Sequence, residues 1–138
     1  MSLREDLAGV LARDPRYPIQ AYLFVLEALE YSKNLKRRAQ ARPGPRRARA
    51  REASRHVTGR ELCEGARRLA LRQYGLLALT VLNRWGIYST SDFGEIVFNL
   101  IASGDLETTP TDRRSDFDGV FDLEATLRRH FVLALDDV

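Results

Sequence analysis

Thr90-Ser91-Asp92-Phe93-Gly94-Glu95-Ile96-Val97-Phe98-Asn99-Leu100-Ile101-Ala102-Ser103 sets Phe93, Ile96, Val97, Leu100 and Ile101 at the i, i+3, i+4, i+7, i+8 positions. That spacing gathers apolar side chains on one face of a helix turning every 3.6 residues. Ser89, Thr90 and Asp92 offer side-chain oxygens to the orphan N–H groups at its start, and Gly104 ends it. Gly94 costs about 1 kcal/mol against alanine inside a helix, so a close helix crossing is expected beside it.

Working outward, residues 76–85 form a second apolar stretch, bounded by Gly75 and by Gly86 in the C′ position. Thr58 and Glu61 have capping-box spacing, each reaching the other's backbone N–H. The helix they begin puts Leu62, Ala66, Leu69, Ala70 and Gln73 on one face and an i,i+4 pair, Glu64 and Arg68, on the other. Nearer the N-terminus, Ser2 and Glu5 cap a first helix carrying Leu3, Leu7, Val10 and Leu11, which Asp14-Pro15 ends. Pro18 suits the first turn of the next helix, where its missing N–H costs nothing. The run Ala21-Tyr22-Leu23-Phe24-Val25-Leu26 is apolar nearly all round, which predicts a central position. Asp122 caps a last helix with Leu123, Leu127 and Phe131.

The expected fold is therefore all-α or nearly so: one domain over residues 1–138, of five or six helices, centred on the second helix and on residues 90–103. Two stretches depart from helical periodicity. Residues 39–54 are rich in Arg, Ala, Pro and Gly and read as a disordered, flexible loop, although Ala and Arg there suit a further turn of either neighbouring helix. Residues 106–121 read as an irregular acidic segment before the last helix.

Hydrophobic residues make up 44% and charged residues 30% of the 138, a globular balance, and no apolar run is long enough to span a bilayer. The N-terminus lacks the zones of a signal peptide, and a single cysteine permits no internal disulfide, so a cytoplasmic protein is expected. Charge is strongly segregated. Between Lys33 and Arg55 ten basic residues and one acidic residue, Glu52, give +9, whereas the other twelve basic and eighteen acidic residues leave −6. From Trp85 onward the balance is −7. An acidic body with a basic arm follows.

The strings His56-Val57-Thr58-Gly59-Arg60-Glu61-Leu62-Cys63-Glu64-Gly65, Trp85-Gly86-Ile87 and Thr90-Ser91-Asp92-Phe93-Gly94-Glu95-Ile96-Val97-Phe98 resemble an uncharacterised family of small proteins of planctomycete and verrucomicrobial bacteria. Asp14-Pro15-Arg16-Tyr17 and Ala21-Tyr22-Leu23-Phe24-Val25 extend the resemblance, which covers about half the chain. It implies no activity, and residues 39–54 lie outside its pattern.

The basic run is the first candidate site. Lys36, Arg37, Arg38, Arg42, Arg46, Arg47, Arg49, Arg51 and Arg55 suit an acidic partner or the phosphates of RNA or DNA, bound without sequence preference by counterion release. No aromatic residue lies between Tyr31 and Tyr74 to stack on bases, and a plain solvated linker has the same composition. Residues 76–103 have the outline of a helix-turn-helix, but the would-be recognition helix holds no arginine and exposes Ser91, Asp92, Glu95 and Asn99, two of them acidic. Cys63 with His56 offers a thiol nucleophile and base for a small enzyme, against the plainer reading of Cys63 as a buried hydrophobe. Asp105, Glu107, Asp112, Asp116, Asp118 and Asp122 match no calcium-loop spacing and read as caps. No metal or cofactor is expected. Trp85, Tyr88 and Phe98 are candidates for a protein-partner surface. The preferred reading is a non-catalytic interaction or adaptor protein that does not enter membranes.

Overall fold

The computed structural model describes Gly9, Leu11 and residues 14–40, 56–106 and 113–136. Over these residues it is helical and without strands: α1 (Ile19–Gln40), α2 (Gly59–Tyr74), a 3-10 turn (Gly75–Leu77), α3 (Ala78–Arg84), α4 (Thr90–Ala102), a second 3-10 turn (Arg114–Phe117) and α5 (Leu123–Asp136). Of the expected first helix, Leu11 packs against the core; Ser2, Glu5, Leu3, Leu7 and Val10 lie outside the described residues.

α1 and α2 form an antiparallel pair. Glu27 meets Gln73, Ser32 meets Gly65 and Lys36 meets Glu61, so positions climb on one helix as they fall on the other. The pair is close because Gly65 has no side chain: a Cβ there would lie 3.0 Å from the Ser32 Cβ and collide with its Oγ. That hydroxyl instead donates to the Ala28 carbonyl at 2.7 Å within α1. Thr58 and Glu61 form the expected capping box, with Glu61 N–H donating to Thr58 Oγ1 at 3.1 Å and Thr58 N–H to Glu61 Oε1 at 3.0 Å.

The core joins the inner faces of α1 (Tyr22, Val25, Ala28), α2 (Leu62, Cys63, Ala66, Leu69) and α4 (Phe93, Ile96, Leu100), with Leu82 and Ile87 between them. Val97 and Ile101 flank the α4 stripe half-buried. Gly94 does mark a close approach, but of the 3-10 turn rather than of a long helix: its missing Cβ would stand 2.8 Å from the Cβ of buried Phe117. The residues between α4 and α5 that the structure describes are irregular apart from that turn, and Asp122 caps α5 by accepting from Ala125 N–H at 2.9 Å. Leu123 and Leu127 are buried, and the side chain of Phe131 lies outside the described residues.

Several local expectations are corrected. α1 runs through Gln40, so residues 39 and 40 form the further turn that the basic stretch allowed at its boundary; alanine and glutamine favour continuing it. Pro18 sits just outside α1, accepting from Ala21 N–H through its carbonyl. Gln73 is exposed and donates to Glu27 at 2.6 Å. Glu64 takes Arg67 at i,i+3, with Nη2 to Oε2 at 2.7 Å, and leaves Arg68 pointing outward. Asn99 is not a surface residue of α4: it is 8% exposed and donates to Asp14 Oδ2 at 2.9 Å and to the Tyr22 hydroxyl at 3.2 Å.

Candidate functional site

Among the sequence-predicted residues, Cys63 lies buried in the core. It is 0% exposed on the inner face of α2, and burial, aided by the neighbouring Glu64 charge, pushes its thiol up to about 12. A thiol of that kind stays protonated at neutral pH, whereas the thiolate is the form that attacks or ligates metal. His56 is exposed just before the capping box, where its carbonyl accepts from Lys36 Nζ at 2.8 Å. Among the described residues no cluster of His, Cys, Asp and Glu is arranged to hold a metal ion.

The acidic residues divide between caps and clasps. Asp116 accepts from Arg113 N–H at 3.1 Å, Asp118 accepts from the Ser91 hydroxyl at 2.8 Å, and Asp105 accepts from the Ser103 hydroxyl. Glu107 and Asp112 lie outside the described residues. On α4, Asp92 receives the Tyr17 hydroxyl at 2.6 Å and the backbone N–H groups of Tyr88 and Ser89 at 2.8 and 3.1 Å. Glu95 is held by both Nη1 contacts of Arg114, at 3.1 and 3.0 Å, with Arg16 at 3.5 Å on its other side. Arg16 in turn grips Asp14 through two nitrogens, at 2.9 and 2.7 Å, which holds the Asp14 carboxyl well below the usual carboxylate range. These contacts strap both residues 14–17 and the second 3-10 turn to α4, meeting at Glu95. The polar α4 side chains Ser91, Asp92, Glu95 and Asn99 are thus spent on the fold, and α4 presents two pinned carboxylates.

The aromatic candidates separate as well. Phe98 is half-buried under Arg114, whose guanidinium lies 5.5 Å from the ring centroid, and meets Phe117 edge-on at 6.5 Å. Trp85 is half-buried between Phe24 and Tyr74, with centroids at 5.7 and 5.8 Å. Neither forms an open surface. Tyr88 is 66% exposed, and Leu76 and Leu77, which the sequence reading left in a helix, stand 64% and 57% exposed in the first 3-10 turn.

The basic candidates also fall into groups. Lys36 is committed to the fold, bridging to Glu61 Oε1 at 2.8 Å across the α1–α2 pair. Despite partial burial, which opposes it, this ammonium and the Thr58 N–H keep the Glu61 carboxyl below its ordinary range. Arg37 and Arg38 are exposed in the last turn of α1. Because Lys36 lies opposite Glu61, they stand at the end of the pair where α2 begins with Arg60. Arg42, Arg46, Arg47, Arg49, Arg51 and Arg55 lie outside the described residues.

One group was not anticipated. Arg60, Arg68 and Arg72 are all exposed on α2. At 100° per residue they share an arc of about 120° with Glu61, Glu64 and half-buried Leu71. Both carboxylates in that arc already face internal cations, Lys36 and Arg67. The outer face of α2 therefore carries positive charge that its own acids do not offset. The signal was present in the i, i+4 spacing of Arg60, Glu64, Arg68 and Arg72, but assigning Glu64 to Arg68 concealed it.

No family model, curated protein or solved structure matches the chain. Among the described residues no helix is long and apolar enough to cross a membrane.

Proposed function

We propose that this chain is a non-catalytic interaction protein that engages a polyanion, nucleic acid foremost, through the basic run from Lys33 to Arg55. The observation that carries this reading is the exposure of Arg37 and Arg38 in the last turn of α1, at the end of the pair where α2 begins, and the sequence continues from there into six further arginines before His56. Arginine guanidinium groups match phosphate oxygens in a forked geometry, and each contact releases condensed counterions. The charge asymmetry supports it: a +9 segment on a −6 remainder turns the basic end toward a polyanion during approach. A single cysteine with no internal partner fits a reducing, cytoplasmic setting, and its burial argues against the alternative of a His/Cys enzyme. We further propose membership of the small-protein family that residues 56–121 resemble, which assigns no activity of its own.

The test is a fluorescence anisotropy titration with labelled RNA and DNA at low and moderate salt, comparing wild type with a variant whose residues 41–55 are replaced by a Gly/Ser linker. The replacement starts at residue 41 because α1 extends through Gln40. Binding that weakens with salt and falls sharply in the variant is the expected result. Equal binding by both proteins would refute the role of the arm.

A second reading rests on the exposed Leu76 and Leu77. Two adjacent apolar side chains at the α2–α3 joint suit a protein partner, and Leu76→Ser/Leu77→Ser would abolish such a contact while leaving nucleic-acid binding unchanged.

A further inference from the structure

The α2 face offers a contact of a different kind from the arm, since it belongs to a helix packed along its length on α1. We infer that Arg60, Arg68 and Arg72 form a rigid docking ridge for the phosphate backbone of a nucleic-acid duplex, with B-form DNA as its long, regular instance. The inference deepens the proposed function and rests on it for the class of partner, but uses other residues.

Three observations favour a duplex. The first is spacing: at 1.5 Å rise per residue the arginines stand about 12 and 6 Å apart along α2, a fixed row suited to a fixed row of charges. A flexible single strand is instead held by aromatic stacking, and the arc contains no aromatic residue. The second is composition. Leu71 is the arc's sole apolar member and is half-buried, so the ridge lacks the apolar centre of a protein–protein interface and the apolar anchor of a membrane surface. Interfaces with duplex nucleic acid are polar and positive.

The third is charge balance. Glu61 and Glu64, which would repel phosphates, are held 2.8 Å from Lys36 and 2.7 Å from Arg67. Each of those cations is mostly shielded from solvent, with side-chain exposure of 18% and 10%. Half-buried cations thus neutralise the acids from within and leave the arginines outside to act together. Arg37 and Arg38 extend the positive surface at the α2 N-terminal end. The sequence from Trp85 onward carries a net −7, which opposes docking through α4 or α5.

The experiment uses the full chain and a labelled DNA duplex, titrated over a series of salt concentrations. Arg68→Gln/Arg72→Gln is compared with wild type, with Arg128→Gln/Arg129→Gln as a control of equal charge change on α5, and with the arm-replaced variant. All four arginines are exposed, so circular dichroism should show unchanged helicity. Loss of two phosphate contacts lowers the slope of log K against log salt by about 1.8 and weakens binding about tenfold or more at moderate salt. The α5 pair should leave both values nearly unchanged.

Equal losses in the two pairs would mean that only net charge matters, and would overturn the ridge. A normal slope in Arg68→Gln/Arg72→Gln together with lost binding in the arm variant would overturn the ridge and leave the arm standing. The converse pattern would keep the ridge and refute the arm. If wild type binds no duplex even at low salt, the ridge falls; the arm falls with it only if labelled RNA is not bound either. Tighter binding of single-stranded RNA than of duplex, or competition by polyglutamate as effective as by unlabelled duplex, would overturn the choice of a duplex backbone.

Discussion

Replacing Gly94 with alanine separates what a helix prefers from what this fold permits. In an unobstructed helix the change gains about 1 kcal/mol. Here the added Cβ would lie 2.8 Å from Phe117 Cβ and 2.9 Å from both Cγ and Cδ2, where ordinary contact begins near 3.4 Å. Phe117 is buried and is held against α4 by Phe98, which meets it edge-on and is itself covered by Arg114. The turn Arg114–Phe117 must therefore move off α4, loosening the Arg114–Glu95 contact. Overpacking of this kind costs about 1–3 kcal/mol, and contact with three atoms at once places it in the upper part of that range. Subtracting the helical gain leaves a net loss of about 1–2 kcal/mol, or a fall in Tm of about 3–8 °C for a chain of this size. Urea denaturation of Gly94→Ala should report this loss, and hydrogen exchange should quicken in residues 114–117 before it does in α2. Unchanged or increased stability would refute the reasoning, since that is how an open helical glycine behaves.

Three further outcomes follow from the same contacts. Tyr17→Phe should destabilise by about 1–2 kcal/mol in denaturant melts, because a charge-assisted bond to Asp92 is lost while Asp92 keeps two backbone donors. The Asp14 carboxyl is depressed in the folded state by Arg16 and Asn99, so its contribution is complete above the ordinary carboxylate range and is lost as pH falls through and below it. Asp14→Asn should lower stability at neutral pH and flatten its decline below about pH 4, as read from Tm against pH; an identical acid profile would contradict the clasp. Cys63 should resist Ellman's reagent in the native protein at neutral pH and react as one thiol after unfolding. Rapid native labelling would mean that α2 opens locally.

The helical class, the α4 stripe, the Thr58–Glu61 box and the C′ glycine at position 86 could all be read from the chain, because each depends on residues within about two turns of one another. So could the charge segregation, which is a property of composition. What failed were choices among partners at similar spacing. Glu64 has Arg67 at i+3 and Arg68 at i+4, and helical geometry allows either; the fold buries Arg67, which takes Glu64, and leaves Arg68 exposed. Asn99 sits on the polar side of α4 by periodicity, yet its partners are Asp14, 85 residues away, and Tyr22 of α1, 77 residues away. Phe98 and Trp85 look available for a partner until Phe117, Arg114, Phe24 and Tyr74 are brought against them.

Sequence alone therefore determined which segments coil and where charge accumulates, since helix periodicity, capping and composition are local or additive. Tertiary structure decided which charges are free. An ion pair such as Lys36–Glu61 forms across 25 residues only after two helices have packed, and the arginines left outside on α2 are defined by the acids that such pairs have already consumed.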